Sequence, residues 1–236
     1  MKTLLHPSSQ RGQADYGWLK TRYSFSFADW YDPKRIHFGM LRVLNDDTVE
    51  GGGGFGAHPH DNMEIVTIPT EGALEHKDSM GNTSVIRKNE VQIMSAGTGI
   101  YHSEFNHEKE IPTKLFQIWV FPKLRNIQPR YDQKLFDPSG RIDRWQTLVA
   151  PERDAETMWI NQDAWFSLAT LGAGKTLEYA PHLPGNGMYL FVVGGSAEAA
   201  GVPLAARDAL GIWETERAAV TAKVTAELLL IEIPMT

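Results

Sequence analysis

Residues 51–68, GGGGFGAHPHDNMEIVTI, and 97–106, GTGIYHSEFN, decide how the rest of the chain is read. Each holds good metal-ligating residues two positions apart, His58 with His60 and His102 with Glu104. In an extended strand the side chains at i and i+2 leave the same face, so each pair points one way. Two such pairs facing each other bring imidazoles and a carboxylate to one point. That nitrogen and oxygen donor set suits a divalent transition metal and leaves coordination positions open for a substrate. One His-x-His among eight histidines is usually an exposed or hydrogen-bonded pair. The second pair, flanked by strand-like segments, is what turns the spacing into an expected metal site.

The same residues carry a family resemblance. Gly52, His58, His60 and Glu64 are spaced like the first motif of the cupin superfamily, and Gly99, His102 and Asn106 like the second. More narrowly, HPHDNMEIV (58–66) and AGTGIYHSE (96–104), with FSFADWYDP (25–33) and LFQIWV (115–120), resemble the pirin family, including bacterial pirin-like quercetin dioxygenases. The match spans most of residues 12–135. Two positions depart from the cupin pattern: Asn89 stands where Gly is usual, loosening the turn before Glu90, and Gly97 stands where many have Pro, as is usual among pirins.

The resemblance implies an all-β chain of two tandem cupin (double-stranded β-helix, jelly-roll) barrels, the second degenerate. The metal-bearing domain would be residues 1–135 and the ligand-free one 136–236. It assigns His58, His60, His102 and Glu104 as ligands of one divalent metal ion. The implied ion is Fe(II), with Mn, Ni, Cu and Zn also compatible with the donors. The implied reaction opens the central ring of a quercetin-like flavonol with O2 and releases carbon monoxide. Glu104 would complete the metal shell or act catalytically, taking the proton of the flavonol 3-hydroxyl. A carboxylate beside a cation is a weak base unless freed from it or desolvated, so the two roles pull against each other. Glu64, a ligand in many cupins, would instead accept a hydrogen bond from a ligating histidine. His76 and Gln117 lie on neighbouring predicted strands and would line the same cavity, although each also reads as a plain strand residue. The rival readings are a redox-sensing, non-enzymatic regulator acting through a protein partner, and a cupin isomerase or hydrolase using the metal as a Lewis acid.

Composition fits this frame. Apolar content of 42% and charged content of 22% are ordinary for a soluble globular protein. With no cysteine, neither disulfides nor thiolate ligands are available. The start, MKTLLHPSSQRGQ, has too short an apolar run for a signal peptide, and no stretch approaches the roughly 18 apolar residues of a membrane span, so a cytoplasmic protein is expected. Net charge is −6, and even the densest basic group, Arg125, Arg130, Arg141 and Arg144, forms no stripe, which argues against direct nucleic-acid binding. A monomer is the default.

Short strands separated by turn signals every eight to twelve residues or so argue for barrels or sandwiches, and little amphipathic-helix signal precedes residue 140. SFSFADWY, FGMLRVLN, MEIVTI, VQIMSAG and KLFQIWVF read as strands, with Trp18, Phe25, Phe27, Trp30 and Tyr31 as core aromatics. Ser79-Met80-Gly81-Asn82 reads as a hairpin turn. Residues 124–150, polar with Pro129 and Pro138, read as a linker. Beyond it the strand layout weakly repeats, but only His182 remains after residue 107. Ala169 to Thr176 nearly fits a phosphate-binding loop, yet a strand-like LEYAPHLPG follows where that motif needs a helix.

Overall fold

A computed structural model describes all 236 residues. They form strands almost throughout, with two 3-10 turns at Ser8–Gln10 and Pro138–Arg141. A four-stranded sheet runs in the order Gly54–His60, Ile100–Asn106, Ala73–Asp78, Thr83–Arg87. A seven-stranded sheet runs Arg130–Leu135, Glu90–Ser95, Glu64–Glu71, Thr113–Val120, Leu41–Val49, Leu19–Tyr23, Gly12–Asp15. These two sheets make the first cupin barrel. A nine-stranded sheet makes the second, built around the long antiparallel pair Asn186–Ala199 and Ala218–Pro234, whose register shifts between Val192 and Ala197. Such bulges bend and twist the strands that carry them. The first strand, Lys2–His6, crosses to this sheet and pairs with Ala209–Trp213.

The barrels stand back to back. The largest apolar cluster, of 24 buried residues, lies between them: Val66, Ile68, Val91 and Phe116 from one half meet Phe166, Tyr189, Phe191 and Leu229 from the other. This explains why the first six residues of Glu64–Glu71 are buried without alternation, on both faces of the strand. Val66 and Ile68 face the other barrel, while Ile65 joins a small cluster of four inside its own. The second barrel's interior is filled instead by 16 buried apolar residues, among them Leu171, Leu190, Leu210 and Leu228. Apolar side chains thus fill the interior that holds histidines in the first barrel, which is what degeneracy means here.

The expected hairpin closes through Gly81 between Ala73–Asp78 and Thr83–Arg87, and Gly172–Lys175 is a turn between strands with no helix after it. Three expectations are corrected. The segment SFSFADWY (24–31) is not a strand but a turn closed by the isolated bridge between Phe27 and Trp30. The presumed linker contains the strand Arg130–Leu135, paired along its length with Glu90–Ser95; it reads as polar because it forms the sheet's edge and most of its side chains are half-exposed. Tyr31, expected in the core, is 73% exposed, whereas Phe25 is fully buried. Both departures from the cupin pattern have a backbone cause. Gly97 has φ +49°, which proline cannot adopt, and a Cβ there would meet the Ile127 carbonyl oxygen at 2.0 Å. Asn89 has φ +70°, the left-handed region that Asn tolerates better than most residues.

Candidate metal centre

The strand Ile100–Asn106 organises the site. Its burial alternates, with Ile100, His102, Glu104 and Asn106 inward and Tyr101 and Phe105 outward. On one side His102 lies opposite His58, and a register shift follows before Glu104. On the other side His102 lies opposite Asp78 and Glu104 opposite His76. The period of two on three adjacent strands thus aims His58, His60, His76, His102 and Glu104 into one barrel.

A nitrogen from each of His58, His60 and His102 lies within 4.8 Å of the others, and a second trio, His76, His102 and Glu104, meets the same limit. The sequence-predicted set is therefore together, but His102 is the hinge between two groups and Glu104 stands on the His76 side. The hydrogen bonds set which nitrogens are free. His58 Nδ1 contacts the Gly56 carbonyl oxygen at 2.8 Å and must donate to it, so Nε2 keeps its lone pair. Asp78 has a lowered pKa: burial opposes its ionisation, but hydrogen bonds from Asn82 and His76 outweigh it. His76 Nε2–H therefore donates to Asp78 Oδ2 at 3.1 Å, leaving His76 Nδ1 to accept from His102 Nδ1–H at 3.5 Å. That fixes the His102 tautomer, and His102 Nε2, buried with no partner, is left as a lone pair. An orphaned buried acceptor beside two further imidazoles is what a cation would satisfy, so the residues fit a divalent metal.

The electrostatics agree. Burial, and then the neighbouring His58 charge, lowers His60 to about 4. Burial and the charges of His58, His60 and His76 lower His102 to about 2. Both rings are held neutral, the form that ligates. Glu104 is buried, and burial raises its pKa against the pull of His76 and the donors Gln92 and Gln117. Gln117 Nε2 donates to its Oε2 at 2.8 Å and Gln92 Nε2 to its Oε1 at 3.2 Å. Those two amides belong to one cross-strand row, Gln117–Thr67–Gln92, joined by hydrogen bonds through Thr67 Oγ1.

Some placements differ from expectation. Glu64 touches no histidine; it accepts from Ser95 Oγ at 2.8 Å and the Asn161 backbone N–H at 3.1 Å, tying the barrels together. Burial raises its pKa to about 7. His76 is fully buried and stacks on Tyr131. Gln92, Asp78 and Tyr131 were missed. Asp78 was legible, being two residues from His76 like the other pairs, and Gln92 is a polar residue inside an apolar strand, which burial permits only with partners. Tyr131 was hidden in the supposed linker. His107 is exposed near Glu75, and His182 pairs with the buried Glu232 of the second barrel. Beside His60 the site opens into a cleft of about 570 Å³ walled by Pro59, Met63, Ile100, Tyr101 and Trp119.

A cupin barrel with an inward His/Glu cluster and an open side defines a metal-binding cupin protein. The Pirin family model matches residues 5–120, and the quercetinase C-terminal cupin domain model matches residues 147–233. A pirin-like protein of Caulobacter vibrioides is 42% identical over 227 residues, covering 96% of this chain and 97% of its own. A quercetin 2,3-dioxygenase of Escherichia coli K12 is 38% identical over 231 residues, covering 98% of both chains. The crystal structure of the bacterial pirin YhhW from Escherichia coli in complex with nickel(II) superposes with TM-score 0.94 at 36% identity over the whole of both chains. The chain belongs to the pirin family. No helix in it is long and apolar enough to cross a membrane.

Proposed function

We propose that this chain is a metal-dependent dioxygenase that opens the flavonol ring of quercetin-like substrates with O2 and releases carbon monoxide. The observation that carries the reading is the orphaned, buried His102 Nε2 grouped with His58 and His60, the last of which lines an open cleft beside Trp119. Two comparisons support it: the matched quercetinase domain and the name of the Escherichia coli relative. His58, His60 and His102 would hold the ion, which we take to be Fe(II), and Glu104, on the His76 side, would either complete the set or stay free to take a proton. Residues up to about 135 carry this centre and those from 136 support it.

When bound, the cation supplies Lewis acidity to the enolic oxygens of the flavonol and redox chemistry toward dioxygen. The chain does the rest. Trp119, edge-on to His60, would pack the flat substrate together with Met63. The firmer Gln117 contact holds Glu104 Oε2, so Oε1, under the longer Gln92 contact, is the oxygen that takes the proton of the 3-hydroxyl. Burial makes this carboxylate a better base than an exposed one.

The test is to load the protein with Fe(II), add quercetin in air, and follow flavonol absorbance and carbon monoxide. Turnover that vanishes in His58→Ala supports the reading. No turnover with any divalent metal, together with metal-dependent capture of a protein partner, would replace it with the regulatory one.

A further inference from the structure

Behind the metal barrel, on the opposite face of its sheet, a second cavity of about 70 Å³ opens between the two halves. Its inner wall is formed by the apolar side chains of Ile68, Val91, Phe116, Leu148, Leu168 and Val193, and polar residues, Thr70 and Thr170 among them, complete the lining. Space of that size holds on the order of five waters, or a branched chain of about four or five carbons. At the rim stands Arg141, whose Nη2–H donates to Asn89 Oδ1 at 2.6 Å and which forms no ion pair. The rest of its guanidinium fork is uncommitted. Burial lowers its pKa, partly offset by Glu227, as for a cation short of water. Of the other rim charges, Lys88 and Glu227 are exposed, and Glu90 accepts the Arg87 backbone N–H.

The departure at Asn89 acquires a role here. Gly would adopt φ +70° with less strain, but only a side chain at that turn can hold the guanidinium over the cavity. An apolar slot capped by an aimed, half-buried guanidinium is the recognition pattern of a small carboxylate with a hydrocarbon tail.

We propose that this cavity between the barrels binds a short branched-chain carboxylate, its tail in the apolar slot and its carboxylate on Arg141, positioned by Asn89. The site is separate from the metal centre, but its wall residues Ile68, Val91 and Phe116 alternate along their strands with Thr67, Gln92 and Gln117, which hold Glu104. The proposal does not depend on the dioxygenase reading.

Methyl-resolved NMR of the zinc-supplemented full chain, titrated with isovalerate, tests it. The methyls of Val91, Leu168 and Val193 are expected to shift together and saturate at about millimolar concentration. Arg141→Met should weaken binding about tenfold, and Asn89→Gly by a smaller factor. 3-Methylbutylamine, the same tail with a cationic head, should not bind. Shifts confined to Met63 and Ile100 would place the carboxylate at the metal and overturn the proposal. So would equal binding by Arg141→Met, equal binding of the amine, or no saturation.

Discussion

Gln117 and Glu104 are joined by a hydrogen bond of 2.8 Å from an amide Nε2 to a carboxylate Oε2, across the interior of the first barrel. It fixes the direction in which the carboxylate's other oxygen faces. Replacing Gln117 with Leu should therefore weaken zinc or nickel affinity by roughly 10- to 100-fold, the usual cost of losing a group that orients a ligand. Competition against a chelator of known affinity measures this; affinity within twofold of the parent would show that the contact is incidental.

In the proposed metal site His76 would act through His102, whose Nδ1–H it accepts. His76→Phe keeps the stacking on Tyr131 but removes the acceptor for His102 Nδ1–H, so the His102 tautomer is no longer fixed. Metal affinity should fall by about tenfold or more with the fold intact. Asp78→Asn should fall in the same direction, because an amide no longer secures His76 Nε2–H as the donor. Unchanged affinity in both variants would remove this relay from the account.

Glu64 gives a pH signature away from the metal. Its pKa is raised to about 7 in the folded chain, so the native state keeps a proton that the unfolded chain releases above roughly 4.5. Between those values the native state binds more protons, and stability falls as pH rises. Glu64→Gln lacks that loss. Its unfolding free energy, relative to the parent's, should climb between pH 5 and pH 8 by an amount of the order of 2 kcal/mol, read by denaturant titration at each pH. A flat or falling difference would contradict the burial argument.

What the sequence revealed and what it hid follow from one property of strands. Period two alone put His58, His60, His102 and Glu104 on inward faces, and the His76-x-Asp78 pair obeys the same rule. Which strands become neighbours is a matter of tertiary pairing, so Gln117 was legible as a cavity residue, but its link through Thr67 to Gln92, and Tyr131, brought in by an edge strand that looks like a linker, could not be placed. Glu64 shows the converse error: its spacing fits a ligand motif, yet its face of the strand points at the other barrel and meets Ser95 and Asn161.

Asn106, the last residue of the second motif, is structural. Its Nδ2 donates to the Val49 and Ile111 carbonyl oxygens, and its Oδ1 accepts from Thr113 Oγ1 and the Glu108 N–H. Asn106→Ala should cost about 2–3 kcal/mol by stranding these groups, lowering the melting temperature by roughly 5–10 °C. The variant should still bind one equivalent of metal, which separates this residue from the ligands.

The central claim is that His58, His60 and His102 converge, with Glu104, on one divalent ion. Its most direct test is the metal content of chelator-stripped protein after reloading with nickel(II) and desalting. One equivalent per chain is predicted for the parent and close to none for His102→Ala. A parent that retains no metal, or a His102→Ala chain that retains a full equivalent, would contradict it.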